Sequence, residues 1–405
     1  MSQYLDKRDT DYVRDNLVFN YCLGDDQELL IESYIHNNQL AIHFDPRHFY
    51  FFMTGPHKKF VKPYTPESFH EGIDRVFQTY DAMRDCLRRH GYDGNVFLIK
   101  EDNSKQTGIL FSPSQHPSAS PEAVAQALYD TYTGLRPHVP YISTSFVGPY
   151  SGYEQIHQAF LDARELNDLY FFGVRNTVIT RAFKDQTARP CDITAILSNV
   201  RRLTNTLCLS EEKEALRQAD YLIDSMIAPS YSHLNFAALW AASEDVIGMF
   251  EKVYPDHVRI EHRPLESFYT LDTYKAWLHE AIQTLYRQLS GVPRHSPTIL
   301  MALSFINQNF ATDLSLTQLS EYVYVNPSTL SSEFNAEVGM SLSEYVTALR
   351  IRRAQQLLRE GEAAIPDIAQ QAGFSSAKYF REIFKRQTGL SPQQYRNEHH
   401  KTHPA

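Results

Sequence analysis

Ten lysines and arginines lie within residues 341–405 against six acids, whereas residues 295–340 hold four acids and neither lysine nor arginine. Residues 1–294 carry −9, 295–340 carry −4 and 341–405 carry +4, for a net charge of −9. Cations massed at one end are suited to hold an anionic partner. A protein that coats nucleic acid would be basic throughout, so that class is excluded, but a local basic module is not.

Other side chains able to do chemistry are scattered. Cys22, Cys86, Cys191 and Cys208 have no C-x-x-C spacing. They read as buried or free thiols of a reducing cytoplasm, neither a disulfide frame nor a zinc site. His36, His43 and His48 are near one another, and His399, His400 and His403 end the chain. The first three are close enough to bind a metal but read rather as surface or sheet histidines, and the last three as a polar tail. The phosphate-cradling G-x-x-x-x-G-K-[ST], the zinc-binding H-E-x-x-H, the nucleophile turn G-x-S-x-G and a strand-linked G-x-G-x-x-G are all missing. No catalytic residue, metal ligand or cofactor is assigned, and the chain is not expected to be an enzyme. No run of about 18 apolar residues is present, so no membrane span is expected. The first residues, MSQYLDKRDTDYVRDN, lack the apolar stretch of a secretory signal. A cytoplasmic protein is the expectation.

The elements that must position these groups change along the chain. Residues 17–23, 39–44, 49–53, 96–100, 108–111 and 141–147 are short runs of β-branched and aromatic residues and predict strands. Residues 66–90, 121–135 and 152–166 predict helices, and the polar stretch 101–106 a turn joining two strands. That order is an α/β or α+β layered domain. The aromatic-rich segment 46–55 is suited to a buried strand or to the wall of a ligand pocket. From about 190 onward, 192–207, 210–227, 235–253 and 272–289 carry apolar residues at helical spacing. The Ser-Gly-Val-Pro-Arg stretch at 290–294 pairs glycine with proline and marks a boundary. The division expected is 1–175, an α/β sensor domain; 176–292, a helical linker or dimerisation region; and 293–405, an all-α module.

The last part contains an internal repeat. Leu330 recurs as Phe380, Phe334 as Phe384, Gly339 as Gly389, Ser341 as Ser391 and Tyr345 as Tyr395, each 50 residues on. Upstream the offset is 49, as in Leu319 with Ile368 and Val325 with Phe374. Each copy reads helix, tight turn, helix. In the first, Ser315 or Asp313 starts a helix over 316–322, and Asn326 with Pro327 starts the next. In the second, Pro366 starts one helix, Gly373 makes the turn, and Ser375 or Ser376 caps the other. Between the copies, 341–359 holds neither proline nor glycine and predicts a helix about 28 Å long. That is close to the roughly 34 Å of one turn of DNA.

These residues resemble a family. GFSSAKYFREIFKRQTGLSPQQYR at 373–396 resembles the C-terminal signature of AraC/XylS-type transcription regulators. IRRAQQLLREG at 351–361 resembles their linker helix, and IPDIAQQAGF at 365–374 the helix before the second recognition helix. The resemblance covers about the last 110 residues. It implies two helix-turn-helix units, each placing its second helix in a DNA major groove. Carried over by position, Ser328, Ser331 and Ser332 of the first copy and Lys378, Tyr379 and Glu382 of the second face bases. Ser376, Arg381, Lys385 and Arg386 are placed for phosphates, which fix register without reading sequence. Lys378 suits guanine O6/N7 and Glu382 cytosine N4. Phe374, Phe380 and Phe384 are core. The first copy departs from the pattern, since Asn335, Ala336 and Glu337 follow Phe334 where a basic pair is usual. The second copy and the cluster Arg350, Arg352 and Arg353 are therefore expected to supply the attraction.

The element order over 38–166, and YISTSFVGPYSGYEQIHQAFLDAREL at 141–166, loosely resemble a degenerate nucleotidyl-cyclase-like fold. The turn at 101–106 lacks the acidic, glycine-rich sequence of active versions, so no cyclase activity is expected. LDTYKAWLHEAIQTLY at 271–286 resembles the segment before the DNA-binding region in the YesN-type branch, without a receiver domain. The resemblance implies a transcription regulator, expected as an activator and homodimer. Its partner is promoter double-stranded DNA, with RNA polymerase and a small-molecule effector as further partners. The alternatives are a nucleotide-processing enzyme with accessory DNA binding, and a protein-interaction adaptor.

Overall fold

A computed structural model describes residues 42–56, 66–101, 104–139, 142–209, 211–361 and 363–400. The strand expected at 17–23, the start of that at 39–44, residues 102–103 of the polar turn, His36 and His403 lie outside them. The chain forms two compact units. The first runs to residue 191 and takes in 224–232 and 266–274; the second comprises 192–223, 233–265 and 275–405.

In the first unit the order is β1 (Phe49–Pro56), α1 (Pro66–Arg89), β2 (Tyr92–Glu101), β3 (Ser104–Pro113), α2 (Pro121–Leu135), β4 (Ile142–Tyr150) and α3 (Gln155–Asn167). The strands lie in the order β2-β3-β1-β4, and every neighbouring pair is antiparallel. Of the two layered arrangements expected, α/β and α+β, the antiparallel pairing is that of the second. Each helical crossover skips one strand position, and the returning strand of the other half fills the gap, the split β-α-β arrangement. Strand periodicity explains the packing. Phe49, Phe51 and Met53 point to the side covered by Ile156, Ala159 and Phe160 of α3. Tyr50 and Phe52 point to Met83 and Leu87 of α1 and Val124 and Leu128 of α2. Of the aromatic run at 46–55, residues 49–55 are thus a central strand buried on both faces, while Arg47 and His48 are exposed in the turn before it. Residues 42–44 are not a strand; Phe44 instead packs its ring 5.4 Å from that of Phe49. After α3, a short helix α4 (Arg181–Thr187) is capped by Thr180.

The second unit is helical: α5 (Ile193–Cys208), α6 (Glu212–Asp220), α7 (His233–Val253), α8 (Leu271–Gln288, from residue 275 on), then α9 (Pro297–Asn309), α10 (Leu316–Tyr322), α11 (Pro327–Val338), α12 (Leu342–Glu360), α13 (Ile365–Gln371), α14 (Ala377–Thr388) and α15 (Pro392–His400). The single helix expected over 210–227 ends instead as α6, and wider turns follow over Tyr221–Ile227. Pro229, which has no N–H to continue a helix, closes the segment.

Between α7 and α8 runs an extended segment held by side chains. Trp277 Nε1 donates to the Glu261 carbonyl at 2.8 Å, and Trp240 Nε1 to the Arg263 carbonyl at 3.0 Å. The Gln288 amide bonds both the N–H and the carbonyl of Arg259, and Glu251 accepts the Ile260 N–H at 2.9 Å. His262 lies between two carboxylates of α7. Its Nδ1 is 2.5 Å from Glu244 and its Nε2 2.8 Å from Glu251. Hydrogen bonds to both hold its pKa above the usual histidine value. The turn at 290–294 is also tethered, since Arg294 donates to the Leu207 carbonyl at 2.7 Å and lies 4.3 Å from the Tyr286 ring centre.

Candidate nucleic-acid interface

Two helix pairs are built alike from their caps upward. In the first, Ser315 and Gln318 form a reciprocal capping box at the start of α10. Asn326 accepts the Thr329 N–H at 2.8 Å and Pro327 opens α11. In the second, Ala364 precedes α13 without a side-chain cap, and Ser376 accepts the Tyr379 N–H at 3.3 Å to start α14. Gly339 and Gly389 end α11 and α14 in the left-handed region, at φ 78° in each case. The tight turns match as well: Val325 N–H donates to the Ser320 carbonyl, and Phe374 N–H to that of Ala369.

The cores repeat in the same way. Leu330 and Phe334 are buried in the first pair, Phe380 and Phe384 in the second. Phe334 meets Tyr345 edge-on at 5.7 Å, and Phe384 meets Tyr395 edge-on at 5.4 Å. Phe374 is buried too. Between the pairs runs α12, with its own capping box of Ser341 and Glu344.

The outward faces differ. On α14, Lys378, Tyr379, Arg381, Glu382, Lys385 and Arg386 are all exposed. None of the four cations is ion-paired among the described residues. Tyr379 is 52% exposed, its ring 6.4 Å from that of Phe374. Ser376 is exposed while its hydroxyl serves as the cap. On α11, Ser331 and Ser332 are exposed, and the exposed Ser328 donates its hydroxyl to Asn326 Oδ1 at 2.7 Å. Glu337, counted in the sequence as a charge against phosphate, is turned away: it accepts the Ser296 N–H at 2.8 Å, at the start of α9. His295 beside it is pulled below the usual histidine value by burial, Glu337 acting in the opposite sense.

The arginine cluster on α12 is not one surface. Arg350 donates from Nε to the Phe310 carbonyl at 2.7 Å and from Nη2 to the Thr312 carbonyl at 2.8 Å. Burial lowers its pKa, against opposing effects of Asp313 and Tyr379. It is a brace inside the unit and is corrected from the expected source of attraction. Arg353 donates to Gln356 at 3.0 Å, and Arg352 is exposed. A signal for Arg350 was present: Val346, Arg350, Ala354 and Leu358 recur every four residues, and the other three are buried. Tyr324 lies in the turn expected near 324–326. It takes the left-handed place in the first turn that Gly373 takes in the second, with φ 57°, and is 83% exposed. The 49-residue offset pairs these two positions.

Among the described residues no helix is long and apolar enough to cross a membrane. A helix-turn-helix domain family model matches residues 319–398. An uncharacterized HTH-type transcriptional regulator of Staphylococcus aureus is 37% identical over 126 residues, 29% of this chain and 17% of that protein. The melibiose operon regulatory protein of Escherichia coli is 33% identical over 108 residues, 26% of this chain and 36% of that protein. The chain thus spans well under half the length of these relatives. Among solved structures, the C-terminal domain of AraT, a response regulator from Geobacillus stearothermophilus, is 35% identical, covering 26% of this chain and 88% of that one at a TM-score of 0.26. The C-terminal region of this chain is an AraC-type helix-turn-helix domain.

Proposed function

We propose that this chain is a sequence-specific DNA-binding transcription regulator whose two helix-turn-helix units read successive major grooves. The observation that carries the reading is α14, which turns four unpaired cations outward while burying Phe380, Ile383 and Phe384. Lys378, Tyr379 and Glu382 read bases there, and Ser376, Arg381, Lys385 and Arg386 hold phosphates. On α11, Ser328, Ser331 and Ser332 meet bases without a basic side chain. Residues 293–405 act as the DNA-binding module, 176–292 as the linker or dimerisation region, and 1–175 as a sensor gating the activity. The β-α-β-β-α-β order of the first unit supports a degenerate nucleotidyl-cyclase-like sensor with no catalysis of its own. A homodimer reaches more half-sites than one chain, and an effector and RNA polymerase complete the partners of an activator.

The test is binding of the full chain to DNA fragments from around its encoding gene across a salt series. Site-specific binding whose affinity falls steeply with salt supports the reading. Equal affinity for scrambled fragments sinks it. A protein-docking role for the first helix pair is the second reading, favoured by the exposed Tyr324 on a stretch, 295–340, without cations.

A further inference from the structure

The two helix pairs are joined along the chain by α12, and one helix seated at its two ends would let each pair swing about it. The structure adds a second joint. Arg350, on the buried stripe of α12, grips the Phe310 and Thr312 carbonyls just past α9, which packs in the core of the first pair. The same guanidinium lies 5.9 Å from the ring centre of Phe374, in the turn of the second pair. Beside it, the backbones of the two pairs touch. Gly373 sits at φ 89°, and a Cβ there would come 2.6 Å from Cα of Ala311. Residues 310–312 of the first pair and 373–374 of the second therefore meet at one side chain.

We propose that Arg350 is a positioning residue that fixes the distance and phase between α11 and α14, and through them the half-site spacing the protein accepts. The inference rests on the regulator reading above. With 10–10.5 base pairs per turn, one base pair rotates the groove by about 35°. A locked pair of recognition helices meets such a change only by deforming the DNA or losing contacts. A loose pair follows it. The guanidinium fork suits the task because its donors are fixed in one plane and reach two carbonyls at once; a lysine ammonium cannot hold both in the same geometry.

The experiment measures affinity of the full chain for its selected site, and for versions with the half-sites moved one base pair closer or further apart. The wild-type chain is expected to lose about tenfold or more at either altered spacing, the scale of a DNA deformation of this kind. Arg350→Gln is expected to bind the best spacing within a few-fold of wild type while its spacing preference drops below about threefold, and Arg350→Lys to fall between. Arg352→Gln, an exposed neighbour on the same helix, is expected to weaken all spacings alike. Amide exchange supplies a readout independent of DNA. Residues 373 and 374 should exchange faster in Arg350→Gln while the interior of α14 stays protected. A spacing preference or exchange pattern unchanged in both Arg350 variants overturns the inference and leaves the regulator reading intact. A wild-type chain indifferent to spacing also overturns it, and one without site-specific binding overturns both.

Discussion

Arg350 stands against Phe374, its guanidinium carbon 5.9 Å from the ring centre, while two of its nitrogens hold carbonyls about 40 residues upstream. The charge that looked available to phosphate is directed inward. Replacing Arg350 with alanine removes both bonds, leaves the part-buried Phe310 carbonyl without its donor and removes the packing of the side-chain stem. A loss of about 2–4 kcal/mol is expected from those terms together. Denaturant unfolding of the full chain checks it, and Arg352→Ala should change stability by less than about 0.5 kcal/mol.

The two turn residues predict opposite effects. Gly373→Ala places a methyl group against the backbone of Ala311 at a left-handed φ, and should destabilise the second unit by more than about 2 kcal/mol. Tyr324→Gly removes a bulky side chain from the same left-handed position and should stabilise the first helix pair by about 1 kcal/mol. Thermal melts of the two variants decide the point; a destabilised Tyr324→Gly would mean that the tyrosine makes a stabilising contact.

The pinned segment between α7 and α8 predicts a pH dependence. The folded pKa of His262 is raised by hydrogen bonds to Glu244 and Glu251. Its contribution is therefore fully present below the unfolded histidine value of about 6.5 and fades as pH rises through the higher folded value. The difference in melting temperature between wild type and His262→Gln should be larger at pH 6 than at pH 9. Taking that difference cancels the opposite trend of His295, whose pKa is lowered. An equal difference at both pH values would show that imidazolium charge does not hold this segment.

Two lysines of α14 should separate reading from holding. Lys378→Ala is expected to relax preference at one base position by about 1–3 kcal/mol. Lys385→Ala should weaken all sites alike and reduce the salt slope by about 1. Competition binding against point-substituted sites over a salt series distinguishes them. Identical behaviour of the two variants would mean that α14 docks in another orientation.

What the sequence disclosed was local. Asn326 with Pro327, the serines at 375–376 and the two closing glycines carry their signals within a few residues, so the start of α11 was legible to the residue and that of α14 to within one. The helices at 121–135 and 316–322 have the expected bounds for the same reason. The antiparallel order of the sheet was not legible, because β1 pairs with strands more than 50 residues away and nothing in its own run names them. The same distance hid the partners of Arg350 and of Glu337, whose bond to Ser296 spans 41 residues. Charge counting treated both as surface groups. Of the candidate interface, the exposed members of α14 were readable and the bracing that holds the pairs together was not.

The edge-on pairs Phe334–Tyr345 and Phe384–Tyr395 divide the labour within a duplicated architecture. Since each copy packs its own ring pair, its outer face can differ without loss of shape. The outer face of α11 carries no cation, whereas that of α14 carries four. In such a tandem the outward positions can be substituted with the ring-packed scaffold left intact.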